Sequence, residues 1–290
     1  MQQNRNYVVI TPVRDEEQHI DATIESVLRQ TVLPAEWVLV DDGSSDATGT
    51  IIDRLAAKVP WVQAVHRSDR GCRKAGGGVI DAFYAGYEAL RSHDWEYVVK
   101  LDGDLRFAPD YFQRCFDYFE QDPKLGIGGG DICHEVDGEL VVEKNPRFHV
   151  RGATKIYRRG CWEAIGGLWR AAGWDTIDEV KANMMGWRTY SFEDARLAHL
   201  RVTGTADGRL RDRVKHGVAC YISGYHPLFV FASCVFRLAQ PPYVVGSLAM
   251  AYGFVKAHFV RPPRVSDPQM VRYLRDQQLR RLFGLQTIWK

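Results

Sequence analysis

Residues 97–104 read YVVKLDGD, an apolar run that leads directly into two carboxylates flanking a glycine. The apolar, β-branched residues of this run predict a buried β-strand, and the glycine lets the chain turn at the end of that strand. Carboxylate oxygens are the ligands that Mg²⁺ and Mn²⁺ prefer, often shared with substrate phosphates. The position after a strand favours a cation site at Asp102 and Asp104 over the ordinary turn that the same three letters also form.

Three more apolar runs upstream predict strands, at residues 7–11 (YVVIT), 37–40 (WVLV) and 62–65 (VQAV). Apolar residues recur at helical spacing between residues 20 and 28, and Asp46 is a candidate N-cap for the next helix. Strands that alternate with helices predict an α/β fold with a mainly parallel sheet flanked by helices. Ligands bind such sheets beyond the carboxyl ends of the strands, so the polar loops that follow the first, second and fourth strands are expected to converge on one crevice.

Other candidate groups are individually ambiguous. Asp41 and Asp42 end the second strand, where they could accept hydrogen bonds from a nucleobase or ribose or simply form a turn. Asp175 and Asp178 lie near the start of a predicted helix at 174–188, where the helix dipole favours acidic residues, although a carboxylate beside a cation and a diphosphate could act as a general base. His199 stands alone in a predicted strand and loop, and a lone histidine is more often structural than a ligand.

The composition is that of a globular protein, with 46% hydrophobic and 26% charged residues among 290. The six cysteines are spread singly without a CxxC pair, which argues against a zinc ribbon or a disulfide scaffold and favours a reducing compartment. The N-terminal residues lack the long apolar core of a signal peptide. A cytoplasmic location is therefore expected.

Charge is divided unevenly along the chain. Residues 1–200 contain 24 Lys and Arg against 32 Asp and Glu, whereas residues 201–290 contain 14 against 4. The acidic first part argues against a nucleic-acid partner. In the basic part, two apolar segments at 225–239 and 243–260 are separated by Pro241 and Pro242. Apolar helices flanked by Arg and Lys fit a membrane interface, which is favoured over a spanning hairpin because each run is short and interrupted. The other alternative is a helical pair buried under the sheet.

In combination these segments resemble a known family. TPVRDEE, VLVDDGSSDAT, YVVKLDGD, GGLWRAAGWDTIDEV and LAHLR occur in this order between residues 5 and 203, which is similar to the inverting family-2 glycosyltransferases of the GT-A fold. The resemblance implies a nucleoside-diphosphate sugar as donor (a UDP- or GDP-sugar) and Mn²⁺ or Mg²⁺ as cofactor. The QxxRW motif of processive synthases is absent after residue 200, which favours the addition of a single sugar.

The resemblance also implies a role for each matching residue. Asp175 matches the catalytic aspartate, although Trp174 stands where the family has glutamate. Asp104 is the direct metal ligand, and His199 matches a histidine that closes the metal site in many members. The residues matching nucleotide-sugar contacts are Thr11, Pro12, Asp15, Glu16, Asp41, Asp42, Arg73 and Asp102.

The expected protein thus has a catalytic GT-A domain at residues 1–205 and a helical, basic and apolar region at 206–290. Its acceptor would be a hydroxyl group on a lipid-linked or glycan molecule, reached at the inner face of the cytoplasmic membrane. Two alternatives are a catalytically inactive sugar-nucleotide or glycan-binding protein on the same scaffold and a sugar nucleotidyltransferase. The acidic loop PVRDEEQH after the first strand disfavours the latter, which usually has a glycine-rich, basic phosphate loop there.

Overall fold

A computed structural model describes residues 5–69, 77–136, 139–201, 208–239 and 242–289. Its centre is a nine-stranded sheet in the order β3-β2-β1-β4-β8-β6-β9-β5, with β7 paired to β6. The strands are β1 (Tyr7–Val13), β2 (Glu36–Asp41), β3 (Val62–His66), β4 (Tyr97–Leu101), β5 (Leu105–Phe107), β6 (Leu125–Val136), β7 (Glu139–Val142), β8 (Thr154–Arg158) and β9 (Arg188–His199). The helices that flank them are α1 (Ile20–Leu28), α2 (Thr48–Ala56), α3 (Gly77–Glu88), α4 (Tyr111–Gln121), α5 (Arg159–Ile165) and α6 (Trp174–Met184).

The first four strands form the parallel half of the sheet. β1 pairs in parallel with β2 and β4, and β2 pairs in parallel with β3. Every residue of β1, β2 and β4 is buried, because helices cover both faces of the sheet and leave no polar side. Continuous burial explains why these strands read as apolar runs. The shared direction places the ends of β1, β2 and β4 on one edge.

The second half of the sheet is mixed. β8 is antiparallel to β4 and β6, β6 is parallel to β9, and β5 is antiparallel to β9. Six of the nine strands therefore point in one direction, and the predicted α/β fold with a mainly parallel sheet is confirmed. The glycine-rich segment 126–130 lies in β6, where a Cβ on Gly130 would lie 1.6 Å from the carbonyl oxygen of Ala195. These glycines serve close strand packing.

Asp46 was predicted to be the N-cap of α2, but it lies two residues before the first residue of that helix. The helix begins at Thr48, and Asp46 Oδ1 accepts a hydrogen bond from the Thr48 amide at 2.9 Å. The side chain thus satisfies one of the unpaired amides of the first helical turn.

The remaining described chain is helical, as predicted. Its helices are α7 (Arg209–Ile222), α8 (Pro227–Phe236), α9 (Tyr243–Val260) and α10 (Pro268–Leu282), with a short 3₁₀ helix at Arg237–Ala239. α7 and α9 cross backbone to backbone: a Cβ on Gly217 would lie 2.1 Å from the Met250 carbonyl oxygen, and one on Gly253 would lie 2.2 Å from that of Val214. The predicted boundary at 205/206 falls in residues 202–207, outside the described residues.

Candidate active site

The polar loops that follow β1 and β2 are joined by hydrogen bonds. Asp15 adopts a positive φ of 54°, and its Oδ1 accepts a hydrogen bond from the Ser45 amide at 2.8 Å. The Glu16 amide donates to Thr48 Oγ1 at 2.8 Å, and the Ala47 amide donates to Glu17 Oε2 at 3.0 Å. The strained backbone of Asp15 is held by these bonds between the loops. The structure therefore brings two of the predicted nucleotide loops together as one unit.

Asp41 and Asp42 lie at the end of β2 with buried side chains. Asp41 Oδ1 accepts the Ser44 amide at 2.8 Å, and its Oδ2 lies 3.1 Å from His66 Nδ1. Asp42 Oδ1 lies 2.6 Å from Arg67 Nη1. Hydrogen bonds to these groups orient both carboxylates at the crevice edge.

Thr11 and Pro12 do not present their side chains at the crevice. Both side chains are buried, and Thr11 is 0% exposed. Thr11 Oγ1 accepts a hydrogen bond from Trp37 Nε1 at 2.9 Å, so its hydroxyl ties β1 to β2. The side chains of both residues support the loop, which leaves only their backbone for a contact with a nucleotide.

The DGD segment lies beside His199. His199 Nε2 lies 3.1 Å from Asp104 Oδ2, because the antiparallel register of β5 and β9 pairs Leu105 with His199. The Leu200 amide also donates to the Asp104 carbonyl at 2.9 Å. Burial alone would raise the pKa of Asp104, but the hydrogen bond and positive charge of His199 lower it below its ordinary value.

Asp102 has a different environment from Asp104. It forms an ion pair with Lys100, whose side chain is almost completely buried in β4 and also donates to the Gly152 carbonyl. Among the described residues, no group of three or more His, Cys, Asp or Glu side chains is placed to hold a metal. Asp104 and His199 nevertheless supply an oxygen and a nitrogen donor at one point, and Mg²⁺ sites with one or two protein carboxylates are completed by substrate phosphates.

Arg201 is a site residue that we did not predict. Its Nη2 lies 2.7 Å from Glu16 Oε2 and donates to the Asp15 carbonyl at 3.1 Å. The residue follows His199 by two positions, so the chain at the end of β9 contacts both the predicted cation site and the first loop. The arginine ends the LAHLR segment, and a charge at the end of a strand that carries a predicted ligand is the signal that could have identified it.

Asp175 lies in the first turn of α6 and is partly exposed. Burial alone would raise its pKa, but the positive charges around it, above all His149 and Lys155, lower the pKa below its ordinary value. The carboxylate is therefore ionised at neutral pH and available to accept a proton.

Asp178 is buried, which argues against it as the base in place of Asp175. Lys155 Nζ lies 2.9 Å from Asp178 Oδ2, and the Tyr157 hydroxyl donates to the same oxygen at 2.6 Å. The side chains of Lys155 and Asp178 are both 0% exposed. Burial raises the pKa of Asp178 to about 6 although Lys155 opposes the shift. Asp178 is thus part of the interior, one helical turn away from Asp175.

Trp174 joins the two halves of the candidate site. The Lys100 ammonium lies 5.4 Å from the centre of its ring and the Lys155 ammonium lies 5.5 Å from it, distances at which cation–π attraction operates. Lys100 holds Asp102, and Lys155 also donates to the Asp175 carbonyl at 2.5 Å. The sequence signal for this arrangement was a lysine inside each of two apolar strands, since lysine is almost never fully buried without a partner.

Arg73 was predicted to lie near the diphosphate of the donor. It belongs to residues 70–76, outside the described residues. Its role stays a prediction.

Comparison with known proteins identifies the family. The profile of Glycosyl transferase family 2 matches residues 8–164. An uncharacterized glycosyltransferase, EpsJ of Bacillus subtilis (strain 168), is 31% identical over 134 residues, which are 46% of this chain and 36% of that protein. Polyprenol monophosphomannose synthase of Mycolicibacterium smegmatis is 26% identical over 192 residues, covering 64% of this chain and 68% of that protein. This chain thus matches about a third of the first relative and two thirds of the second.

Solved structures show the same fold. A mannosyltransferase of Pyrobaculum calidifontis, in complex with GDP-Man and Mn²⁺, aligns with a TM-score of 0.57 at 17% identity, covering 98% of this chain and 89% of the other. TarS of S. aureus in complex with UDP-GlcNAc aligns with a TM-score of 0.55 at 16% identity, covering 88% and 73%. Since the family profile matches more than half of the sequence, the chain belongs to glycosyl transferase family 2, and its fold is the GT-A fold.

Proposed function

We propose that the protein transfers one sugar from a nucleoside-diphosphate sugar to a hydroxyl acceptor, with inversion at the anomeric carbon and with the help of a divalent cation. The observation that carries this proposal is the link from Asp102 through Lys100, Trp174 and Lys155 to Asp175. It joins the candidate donor site to the candidate base. A protein that only binds sugar nucleotides has no need of a partly exposed, ionised carboxylate at that point.

The chemistry follows from the groups on the two sides of this link. The acceptor oxygen attacks the anomeric carbon with its lone pair, the bond to the diphosphate breaks with its electron pair, and Asp175 takes the hydroxyl proton. One displacement inverts the configuration. Asp104 and His199 would hold Mn²⁺ or Mg²⁺, which when bound supplies charge neutralisation to the departing diphosphate.

The donor would contact the two hydrogen-bonded loops that follow β1 and β2. Asp15, Glu16, Asp41 and Asp42 would bind its nucleoside, and Arg201 would hold Glu16 in place. The solved relatives carry GDP-Man and UDP-GlcNAc, which supports a UDP- or GDP-sugar as the class of donor.

The acceptor would be lipid-linked, and the protein would work as a peripheral protein at the inner face of the cytoplasmic membrane. Two relatives are named for lipid phosphates: the polyprenol monophosphomannose synthase already described and an undecaprenyl-phosphate mannosyltransferase of Micrococcus luteus, 27% identical over 152 residues, which are 52% of this chain and 58% of that protein. In support, large apolar side chains are exposed on α8 and α9, among them Phe236 at 77% and Phe259 at 81%. A large exposed apolar patch marks an interaction surface.

Interfacial binding fits this surface better than a spanning helix. α9 is 18 residues long with a mean hydropathy of 1.2, enough to cross a membrane by length and composition only. One face of α9 is packed against α7, however, and α7 contains charged residues along its first half, RLRDRVKH. A spanning α9 would draw these charges into hydrocarbon, at a cost of several kcal/mol. A helix that lies in the interface exposes only its apolar face to lipid.

The test is a screen of UDP- and GDP-sugars for Mn²⁺-dependent hydrolysis, with nucleoside diphosphate release as the readout. We expect release with at least one donor, and loss of release in a folded Asp104→Ala variant. Asp94→Ala, which removes an exposed carboxylate away from the site, is the control. Donor binding without release would favour the inactive binding protein, and pyrophosphate formed from a nucleoside triphosphate and a sugar phosphate would favour the nucleotidyltransferase.

A further inference from the structure

A small recess between α7, α9 and the 3₁₀ helix contains two arginines. It is lined by Arg213, Arg237, Pro242, Tyr243, Gly246, Ser247 and Met250. Ser247 is only 5% exposed, and its hydroxyl has no hydrogen-bond partner among the residues that the structure describes. A buried polar group without a partner destabilises the protein. This hydroxyl and the two guanidinium groups are thus arranged to meet a ligand with acceptor oxygens.

The charges of the recess favour an anion. Burial lowers the pKa of Arg213, and the positive charge of Arg237 lowers it further, while Asp212 offsets part of the effect. The two guanidinium groups line the same recess and repel each other, and an anion bound there would weaken the repulsion. Guanidinium groups bind phosphate oxygens through paired, charge-assisted hydrogen bonds.

His216 links the recess to the candidate base electrostatically. His216 follows Arg213 by three residues on α7, so both lie on one face of that helix. Desolvation by the surrounding protein and the charges of Arg237 and Arg213 lower the pKa of His216 to about 4, and Asp175 is among its charged neighbours. α7 also contacts the start of α6 directly, since a Cβ on Gly173 would lie 2.3 Å from Ser223 Oγ.

The recess also opens onto the exposed apolar surface of α8 and α9. Arg237 directly follows Phe236, and Tyr243, which is 63% exposed, both lines the recess and begins α9. From there the exposed side chains Val244, Val245, Leu248, Tyr252, Val255 and Phe259 continue along α9. A ligand with an anionic group in the recess could therefore place an attached apolar chain along this surface.

We infer that the recess binds the phosphoryl group that joins a lipid-linked acceptor to its apolar chain, with the chain along the exposed face of α8 and α9 and the hydroxyl-bearing headgroup toward Asp175. The recess itself has a volume of about 10 Å³, room for one oxygen-sized group. One phosphoryl oxygen would reach Ser247, and the others would lie at the mouth between Arg213 and Arg237. This assignment rests on the proposed function for its choice of acceptor but concerns residues outside the donor site.

The experiment measures binding of farnesyl phosphate to the full chain by calorimetry, with farnesol and inorganic phosphate as separate probes. We expect farnesyl phosphate to bind more tightly than either, and Arg213→Ala and Arg237→Ala each to weaken it about tenfold or more, as for loss of a hydrogen bond to a charged group. Arg211→Ala, which removes an exposed arginine one position before Asp212 on the same helix, should leave binding unchanged. Ser247→Ala should keep the fold and weaken binding by a smaller factor.

Three results would overturn the inference. Unchanged binding in a folded Arg213→Ala/Arg237→Ala variant would exclude the recess. Equal affinity for inorganic phosphate would remove the lipid chain from the ligand, and full competition by phosphatidylglycerol vesicles would make the recess a general lipid-headgroup site. Failure of the proposed function is measured separately, as an absence of nucleotide-sugar binding or hydrolysis, neither of which needs the two arginines.

Discussion

Lys155 Nζ lies 2.9 Å from Asp178 Oδ2 with both side chains fully buried, and the same ammonium lies 2.8 Å from Glu179 Oε1. One buried ammonium group thus forms ion pairs with two buried carboxylates of α6, the helix whose first turn contains Asp175. Glu179 Oε1 in turn accepts the Val150 amide at 2.7 Å. The position of the candidate base depends on an ion cluster in the interior.

We predict that Lys155→Met lowers the free energy of unfolding by about 3–5 kcal/mol, because it leaves two carboxylates buried without their cation. Denaturant unfolding followed by circular dichroism measures the loss. Lys181→Met, in the last turn of α6, the helix that contains Asp178 and Glu179, is the control and should stay within about 0.5 kcal/mol of the wild type. Equal stability of the two variants would contradict a structural role for Lys155.

Asp175→Asn should keep donor binding and lose transfer by about 10²–10⁴-fold, because an amide cannot accept the acceptor proton. Nucleotide-sugar affinity and single-turnover transfer separate the two effects. Asp178→Asn should instead lower the melting temperature and keep transfer at temperatures where the protein is folded. A folded, inactive Asp178→Asn protein beside an active Asp175→Asn protein would reverse the assignment.

Arg201→Ala should raise the KM for the donor about tenfold, because Glu16 loses the charged hydrogen bond that fixes the first loop. Steady-state kinetics at saturating acceptor measures the change. Arg196→Ala removes an exposed arginine of the same strand and is the control. A KM unchanged by loss of Arg201 would place Glu16 outside the donor site.

His216 should make the folded state less stable in mild acid. Its pKa is lowered from 6.5 to about 4, so between these pH values the unfolded chain binds a proton that the folded chain does not. Its contribution to stability is complete above pH 6.5 and is lost as the pH falls toward 4. Thermal unfolding from pH 7 to pH 4.5 should therefore show a shallower decline for His216→Gln than for the wild type. His93→Gln, at an exposed site, should follow the wild type.

Flotation with anionic liposomes tests the apolar surface. The full chain should float, and Phe236→Ser/Phe259→Ser should stay largely at the bottom of the gradient. Each phenylalanine is about four-fifths exposed, and burying such a side chain in lipid contributes roughly 1.5–3 kcal/mol. Leu140→Ser/Val141→Ser, two exposed apolar residues of β7, should float like the wild type. A wild-type chain that does not float rules out interfacial binding.

The sequence alone predicts those parts of the candidate site that depend on residues adjacent in the chain. The strands that lead to Asp41 and Asp102 are buried on both faces, so each appears in the sequence as a continuous apolar run. The loops that follow these strands meet at one edge because the strands are parallel. His199 was predicted as a metal ligand from the segment LAHLR. The pairing of β5 with β9 that brings it to Asp104 joins residues far apart in the chain, and no local pattern encodes it.

Other parts of the site were beyond local reasoning for related causes. β6 is hard to recognise from its sequence, because close packing against β9 requires glycines in place of the side chains that would mark a strand. The motif that names Thr11 as a nucleotide contact does not show that its hydroxyl accepts a hydrogen bond from Trp37, which leaves its backbone for that contact. The cluster of Lys155 with Asp178 and the recess of Arg213 with Arg237 each join separate elements, so only the folded chain shows them.

The glycine crossing of α7 and α9 fixes a distance as well as a contact. With Gly217 and Gly253 leaving no space for a side chain, α9 cannot slide or tilt on α7 without a clash between backbones. A bilayer that receives the apolar face of α9 would then hold Asp175 at one height above the lipid surface. Acceptors would be selected by the length of their headgroup: a group too short would stop below the carboxylate, and one too long would carry its reacting atom past it.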